Sequence, residues 1–429
     1  MSVETIDTLV IGAGQAGIAM SEHLSAAAIP HLVIERDRIA GRWRNARWDS
    51  LVANGPAWHD RFPGLEFEGD PGAFVAKDKV ADYFESYVQK FSLPVRCGIA
   101  VGRLEPEQGG PGYRVATSAG EILAGRVVVA TGAFQLPVIP PVLAPREGLN
   151  QIHSAQYFNP GQLPQGAVLV VGAGSSGVQI ADELNRAGRR VYLSVGAHER
   201  PPRAYRGRDF CWWLGVLGKW DMPAPAPGTA HVTIAVSGAR GGETIDFRRL
   251  ALEGITLLGM TGAEAGGRLS FGDDLVQNLN RGDASLFALL DEADAYVSRQ
   301  GLDLPLDPQA RQRFPDAACV REPIRALDLA AEGITSVIWA TGYRADYSWI
   351  AADAFDAAGR PLHSRGVSAQ PGLYFLGLPW QSRRGSSFIW GVWHDAKYIA
   401  DQIAIQRSYM AHHHAQSGEA PRLMPDRRG

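Results

Sequence analysis

Short apolar runs near the amino terminus alternate with polar or glycine-rich turns. Residues 8–11 are apolar or β-branched, which predicts a buried strand, and residues 18–24 carry apolar side chains at helical spacing. A second apolar run, residues 31–34, ends in Glu35 and predicts the next strand of a parallel βαβ unit. The turn between the first strand and the helix consists of Gly12, Ala13, Gly14, Gln15, Ala16 and Gly17.

This GxGxxG turn has the composition that a dinucleotide site needs. Gly12 permits the tight turn, Gly14 lets the backbone approach a pyrophosphate, and Gly17 lets the helix pack closely on the strand. Glu35 lies 23 positions after Gly12, where a carboxylate can accept hydrogen bonds from the adenosine ribose. An ordinary glycine turn is the alternative, but strand, helix and acidic residue stand in the required order. The unit therefore predicts a nucleotide site, which includes Gln15, Ala16 and Arg36.

The same pattern recurs after residue 166. Residues 167–171 form an apolar run, a second GxGxxG turn follows, and helical spacing continues to a helix stop at Gly188. The next predicted strand, residues 191–195, ends in Gly196 rather than in a carboxylate, and several arginines follow. Guanidinium groups without a carboxylate suit the 2′-phosphate of NADPH, whereas a solvated basic loop is the alternative. The residues concerned are Gly172, Gly174, Ser175, Ser176, Gly177, Arg200, Arg203, Arg206 and Arg208.

Two fingerprints of different character imply two dinucleotides, which we interpret as FAD at the first turn and NADPH at the second. A length of 429 residues allows two or three domains. The net charge of −3 offers no general attraction to nucleic acid or to an anionic membrane, and no uninterrupted apolar stretch predicts a membrane span. Three scattered cysteines exclude a paired-cysteine redox site and a cysteine zinc site, and no metal site is predicted. Without an apolar leader, a cytoplasmic location is expected.

With these motifs, the chain resembles the class B flavoprotein monooxygenases, which include flavin-containing monooxygenases, Baeyer–Villiger monooxygenases and bacterial CzcO-like flavoproteins. The resemblance extends from about Asp7 to about Ile405. The segment Gly41-Arg42-Trp43-Arg44 is similar to the family's Gly-Gly-x-Trp turn beside the flavin, with Arg42 in place of the second glycine. Two apolar runs, 127–129 and 337–339, end in Ala-Thr-Gly as they do in the family. These tripeptides are Ala130, Thr131, Gly132 and Ala340, Thr341, Gly342.

The resemblance implies an α/β fold with two Rossmann-like dinucleotide-binding domains, the NADPH domain being inserted into a discontinuous FAD domain. Residues 1–160 and 331–407 are assigned to the FAD domain and residues 161–330 to the NADPH domain. Residues 408–429, which contain His412–His414, are predicted to be a flexible tail.

The family's sequence Phe-x-Gly-x-x-x-His-Ser-x-x-Tyr is only half present, as residues 153–157. We expect His153 to be a hinge residue bonded to the backbone rather than a catalytic group. The helix that follows residue 388 is expected to begin near the flavin, with His394 on its surface.

The reaction implied by the resemblance begins with reduction of FAD by NADPH. O2 then adds at the flavin C4a, and the resulting (hydro)peroxide transfers one oxygen atom to a small, apolar or aromatic substrate. Asn54 lies where the family carries an asparagine that hydrogen-bonds the C4a adduct, although Asn-Gly is also a turn signal. Aromatic residues at 210–220 and 380–393 either line the substrate pocket or belong to the core.

Oxygenation at nitrogen or sulfur is the first expectation for this chemistry. Baeyer–Villiger oxidation of a ketone remains an alternative, as does an NADPH oxidase or redox sensor that binds flavin without inserting oxygen. The oligomeric state remains open, and a homodimer is the one assembly considered.

Overall fold

The computed structural model describes residues 3–108, 110–226 and 233–417. Up to the first connection between domains, its elements are β1 (Glu4–Ile11), α1 (Gln15–Ala26), β2 (His31–Glu35), α2 (Gly41–Asn45), α3 (Lys77–Lys90), β3 (Val95–Cys97), β4 (Val101–Pro106), β5 (Tyr113–Thr117), β6 (Gly120–Val129) and β7 (Leu136–Pro137).

The middle of the chain contains β8 (Asn150–His153), β9 (Ala167–Val171), α4 (Ser175–Arg186), β10 (Val191–Ser194), β11 (His198–Glu199), β12 (Ala204–Tyr205), β13 (Arg208–Asp209), α5 (Phe210–Val216), β14 (Thr233–Ile234), α6 (Phe247–Leu252), β15 (Thr256–Leu258), β16 (Thr261–Ala265), β17 (Arg268–Phe271), α7 (Leu275–Gln300), α8 (Ala318–Arg321), β18 (Ala326–Asp328) and β19 (Ile334–Trp339). The last elements are β20 (Tyr343–Arg344), β21 (His363–Ser364), β22 (Val367–Ser368), β23 (Leu373–Phe375) and α9 (Ile389–Ser417).

The first sheet is built on the amino-terminal βαβ unit. Its strand order is β21-β22-β23-β6-β1-β2-β3, with β5 also paired to β6 and β4 to β5. Strands β1, β2, β6 and β23 are parallel, because crossover segments separate them, and β1 is central, aligning Val10 with Val33 on one side and with Val128 on the other. One sheet face packs against α1, α3 and α9 through a continuous apolar cluster. Strands from the two ends of the chain thus share one sheet.

The second sheet is parallel throughout, in the order β15-β10-β9-β19-β8. Strands β8 and β19 belong to it, since Ile338 aligns with Ile152 on one side and with Val170 on the other. This pairing differs from the expected NADPH domain of residues 161–330, because both strands lie outside that range. Buried parallel strands are apolar runs in either sheet, so the sequence pattern does not show which sheet a strand joins.

The chain crosses between the domains at two adjacent segments. β7 leaves the first domain and β20 returns to it, and the two pair antiparallel, with Tyr343 opposite Pro137 and Arg344 opposite Leu136. The exit and the return therefore form one short ribbon. A mixed first sheet with a parallel centre and a fully parallel second sheet are connected in this way, which confirms the predicted α/β fold of two Rossmann-like domains.

Helix α9 corrects the prediction for the tail. Residues 408–417, expected to be flexible, continue this helix to Ser417, because no glycine or proline interrupts the sequence between Val392 and Ser417. His412–His414 lie on this helical stretch, whereas residues 418–429 lie outside the described part of the chain. None of the described helices combines the length and apolar character needed to span a membrane.

Candidate active site

The first fingerprint forms a tight turn from β1 into α1. Gly12 adopts φ 109°, and a Cβ there would lie 2.6 Å from the carbonyl oxygen of Ala130. A Cβ on Gly17 would overlap the carbonyl oxygen of Gly12, so both positions require glycine. Gly14 has open space around its missing side chain and caps α1 without a side-chain hydrogen bond. The turn therefore leaves helix-terminal N–H groups and room for a pyrophosphate.

Glu35 closes the adenosine side of this turn. It is half-buried at the end of β2, where its Oε2 accepts the Ala13 N–H at 2.9 Å and its Oε1 accepts the Asp37 N–H at 3.1 Å. These bonds hold the carboxylate beside the fingerprint, in the position required to contact a ribose. Arg36, the next residue, is exposed.

The start of α9 lies against the same fingerprint. Gln15 Nε2 donates to the carbonyl oxygen of Ser387 at 2.8 Å. Ala16 packs with Val392 and Ala396 in the core between α1 and α9. The first glycine turn and the turn that precedes α9 are therefore held together.

The turn around residue 42 contacts the segment that follows β6. Arg42 donates to the carbonyl oxygen of Phe134, beyond the tripeptide Ala130–Gly132, while Gly41 is buried against Asp37. Trp43 contacts the apolar cores of both domains. Arg47 follows this turn, and its guanidinium carbon lies 5.8 Å from the centre of the Trp43 ring and 5.3 Å from the centre of the Phe134 ring.

The second fingerprint repeats the geometry of the first. Gly172 has φ 113° and lies under the Ala340 carbonyl, with 2.5 Å between that oxygen and a Cβ on Gly172, and a Cβ on Gly177 would overlap the Gly172 oxygen. Gly174 caps α4 without a side-chain bond, and Ser176 is in the first turn of that helix. Ser175 Oγ donates to the Ile234 carbonyl at 2.8 Å.

The second Ala-Thr-Gly tripeptide connects the second fingerprint to the interdomain ribbon. Thr341 Oγ1 donates to the Val138 carbonyl at 2.5 Å, and the Gly342 carbonyl accepts from His153 Nε2 at 3.0 Å. His153 Nδ1 in turn accepts the Ala155 N–H at 3.1 Å, which places the ring proton on Nε2. Burial lowers the pKa of His153. Backbone groups therefore satisfy both ring nitrogens, as expected for a hinge residue.

The predicted phosphate-binding arginines differ sharply in their surroundings. Arg200 is buried and bonds to Asp283 at 2.5 Å, with Asp246 at 3.1 Å. Arg203 is also buried, bonded to both oxygens of Asp209 at 2.8 Å. Carboxylates of the protein thus already neutralise both guanidinium groups.

Two other arginines of this region are exposed to solvent, unlike Arg200 and Arg203. Arg208 is exposed, with its guanidinium 5.6 Å from the centre of the Trp212 ring. Sequence reasoning missed Arg281, an exposed residue of α7 whose charge acts on His198. The neighbouring Gly282 lies against the ring of His198. His198 itself follows the end of β10 by four residues. Arg281 therefore lies near the end of the strand where a Rossmann domain holds the second ribose.

Asn54 lies where the two domains meet. Its Oδ1 accepts a hydrogen bond from Gln179 Nε2 of α4 at 3.0 Å, and its carbonyl oxygen accepts from Arg203 at 2.5 Å. Gln179 therefore holds the side chain of Asn54, and Arg203 holds its backbone. Asn54 therefore connects the two nucleotide folds, and its predicted action on the flavin stays a prediction.

The aromatic residues predicted at 210–220 and 380–393 are not all buried in the core. Trp213 and Leu214 are buried in small cores against α7. These two residues therefore belong to the core and do not line a pocket, which was one of the two alternatives. Trp220 instead contacts Phe388 and Trp390 from the second cluster, with ring centres 5.5 and 6.1 Å away. His394 is exposed on α9, as expected.

Known proteins resemble the chain over nearly its full length. The family model for pyridine nucleotide-disulphide oxidoreductases matches residues 9–206. The uncharacterized CzcO-like oxidoreductase of Geobacillus kaustophilus is 36% identical over 403 residues, which are 93% of this chain and 98% of that protein. The indole-3-pyruvate monooxygenase YUCCA1 of rice (Oryza sativa subsp. japonica) is 27% identical, with 93% of this chain and 91% of the relative covered.

Solved structures extend this comparison to the fold. A flavin-containing monooxygenase from Stenotrophomonas maltophilia has a TM-score of 0.61 at 20% identity, covering 94% of this chain and 99% of that one. Cyclohexanone monooxygenase in its open form has a TM-score of 0.57 at 17% identity, covering 95% and 88%. The paired nucleotide folds and the close CzcO-like relative together show that this chain belongs to the CzcO-like oxidoreductases of the class B flavin monooxygenase group, enzymes that use FAD and NADPH.

Proposed function

We propose that this enzyme inserts one atom of O2 into a nitrogen or sulfur atom of a small, apolar or aromatic substrate. For a thioether, one NADPH, one proton and one O2 would give one sulfoxide, one water and NADP⁺. The observation that carries the proposal is the position of Asn54, which is fixed by Gln179 between the two nucleotide folds. When bound, FAD supplies the electron transfer from NADPH to oxygen.

We propose that the residues of the first fingerprint hold FAD. The N-terminal amides of α1 bind its pyrophosphate, Glu35 binds its ribose, and Gly41–Trp43 lie beside the ring system. The N-terminal amides of α4 bind the pyrophosphate of NADPH in the same way, with Arg281 or Arg208 at the 2′-phosphate. With Oδ1 held by Gln179, Asn54 Nδ2 would donate a hydrogen bond to the reacting part of the flavin.

The cysteines favour oxygen over a protein thiol as the electron acceptor. All three are unpaired, and the buried one, Cys211, has a pKa raised well above its ordinary value by burial. A raised pKa keeps the thiol protonated and unreactive toward disulfides. An aromatic substrate is also consistent with the rice relative, whose name gives indole-3-pyruvate as its substrate.

The proposal is tested by following oxygen into product. Purified holoenzyme is incubated with NADPH, labelled O2 and either thioanisole or cyclohexanone. We expect labelled sulfoxide in a ratio to consumed NADPH that approaches one. Labelled lactone without sulfoxide would support Baeyer–Villiger oxidation instead, and hydrogen peroxide equal to the NADPH consumed would identify an oxidase.

A further inference from the structure

Three rings from distant parts of the chain form a cluster beside Asn54: His59, Trp220 and Trp390. Their centres are 5.1 Å apart for His59 and Trp220, 5.8 Å for His59 and Trp390, and 6.1 Å for the two tryptophans. The imidazole plane is within 24° of each indole plane. Trp220 belongs to the NADPH domain and Trp390 to the first turn of α9, so this three-ring cluster forms only where the domains meet.

His59 has one bonded ring nitrogen and one without a partner. Nδ1 donates to Asp60 Oδ1 at 2.8 Å, since an ionised carboxylate can only accept. In the neutral ring, Nε2 therefore carries the lone pair. The His59 side chain is 6% exposed, and Nε2 has no hydrogen-bond partner within the described part of the chain. Buried polar atoms are rarely left without a partner, so this acceptor points to a ligand.

The surroundings of His59 place this acceptor close to the reaction. The second oxygen of Asp60 accepts the N–H of Gly55 at 3.0 Å, and Gly55 directly follows Asn54. The outer side of the cluster is apolar and accessible, because Trp58 is 40% exposed and Phe388 is 46% exposed. Nε2 itself is covered by its neighbours, so a substrate that enters beside these side chains and displaces one of them would meet aromatic faces, one acceptor and the turn that carries Asn54.

We propose that His59 is a substrate-binding residue that selects planar aromatic substrates carrying an O–H or N–H group. Nε2 accepts the hydrogen bond from that group, Asp60 orients the imidazole, and Trp220 and Trp390 pack against the apolar part of the substrate. The proposal rests on the proposed function for the position of the reaction, but it concerns a binding step that precedes turnover.

The test uses two sulfides that differ in one methyl group. 4-(Methylthio)phenol has an O–H donor, whereas 4-methoxythioanisole replaces it with O–CH3. Each is titrated into oxidised holoenzyme without NADPH, and the Kd is measured by calorimetry. We expect the phenol to bind at least about tenfold more tightly. The titration requires no turnover, so a failure of oxygen insertion and a failure of this proposal are distinguishable.

Variants assign the preference to His59. His59→Phe keeps a planar ring without an acceptor, and we expect the two Kd values to become equal within about twofold. His59→Gln keeps an acceptor and should retain the preference. His394→Phe is the matched control, because that exposed histidine contacts the same Trp390 ring at 4.8 Å and should leave the preference unchanged.

Two results would overturn the proposal: equal Kd values in the natural enzyme, or an undiminished preference in His59→Phe. If His59→Phe does not retain FAD, the natural enzyme and His59→Gln decide the question. A preference in both supports the proposal, and its absence in either counts against it.

Discussion

Gln179 Nε2 donates to Asn54 Oδ1 at 3.0 Å and also to the Val236 carbonyl at 2.8 Å. Because the amide oxygen of Asn54 is occupied, its Nδ2 is the end of the side chain that remains for a ligand. We therefore expect Asn54→Ala to oxidise NADPH while forming at least about tenfold less product per NADPH, since removal of one preorganised donor typically costs more than that. Coupled assays of NADPH, product and hydrogen peroxide provide the measurement.

Gln179→Leu should give a milder form of the same defect, because Asn54 remains but its amide is free to turn. Asn185→Ala is the control for changes to α4, since Asn185 bonds to the Glu253 carbonyl on the outside of the domain. Unchanged coupling in Asn54→Ala would remove Asn54 from the mechanism.

The two fingerprints permit a matched pair of substitutions. Gly17→Ala and Gly177→Ala each introduce a methyl group that overlaps a backbone oxygen of the same turn. The helix must move to relieve this overlap, and such overpacking typically costs about 1–3 kcal/mol of stability. We expect Gly17→Ala to purify with little FAD. Gly177→Ala should keep its FAD but show a KM for NADPH raised about tenfold.

Flavin absorbance and steady-state kinetics distinguish these two outcomes. Loss of FAD from Gly177→Ala with normal FAD in Gly17→Ala would reverse our assignment of the two nucleotides. FAD would then be assigned to the second fingerprint and NADPH to the first.

Arg281→Ala tests the residue that sequence reasoning missed. If Arg281 binds the 2′-phosphate, its loss should raise the KM for NADPH by about tenfold or more and leave the KM for NADH nearly unchanged. Arg299→Ala, an exposed arginine near the other end of α7, is the control. Equal effects of Arg281→Ala on both nucleotides would exclude this role, and the same measurement on Arg208→Ala then becomes decisive.

His198 predicts a loss of stability in acid. Burial lowers the pKa of its imidazole from 6.5 to about 4 in the folded protein, and the Nδ1–H donates to the Gly196 carbonyl. Below about pH 6.5 this histidine is protonated in the unfolded chain but stays neutral in the folded chain. The free energy of unfolding therefore decreases as the pH is lowered, until the folded pKa near 4 is reached. At about pH 5 this single group disfavours folding by roughly 2 kcal/mol.

Urea unfolding at about pH 7 and about pH 5 measures this effect. In His198→Gln the change in the free energy of unfolding between the two pH values should be smaller by that amount. Burial also lowers the pKa of His23 to about 4, so His23 should account for part of the change that remains. An unaltered difference in the variant would show that His198 does not titrate in this way.

Sequence patterns anticipated the nucleotide turns because those turns are local. The strands His31–Glu35 and Ala167–Val171 were predicted to the residue or within one residue, and both glycine turns depend on neighbours within the same βαβ unit. The arginines behaved differently. Arg200 is neutralised by Asp283, which is 83 positions away, so its burial depends on how α7 packs rather than on the residues beside it.

Contacts between the domains could not be predicted from local sequence patterns either. Gln179 and Asn54 are separated by 125 positions, and neither residue type at its position indicates the other. The same applies to the rings around His59, which come from three separate segments. The membership of β8 and β19 in the second sheet likewise follows from pairing and not from composition.

The ribbon of β7 and β20 has a consequence for the order in which the chain folds. About 200 residues lie between Leu136–Pro137 and Tyr343–Arg344, yet the two ends of this segment are hydrogen-bonded neighbours. Once the inserted domain has folded and aligned its own β8 and β19, it brings both ends of the segment together. The amino- and carboxyl-terminal parts of the first sheet are then connected by the equivalent of a short loop, and β23 can join β6 without closing a long, flexible chain.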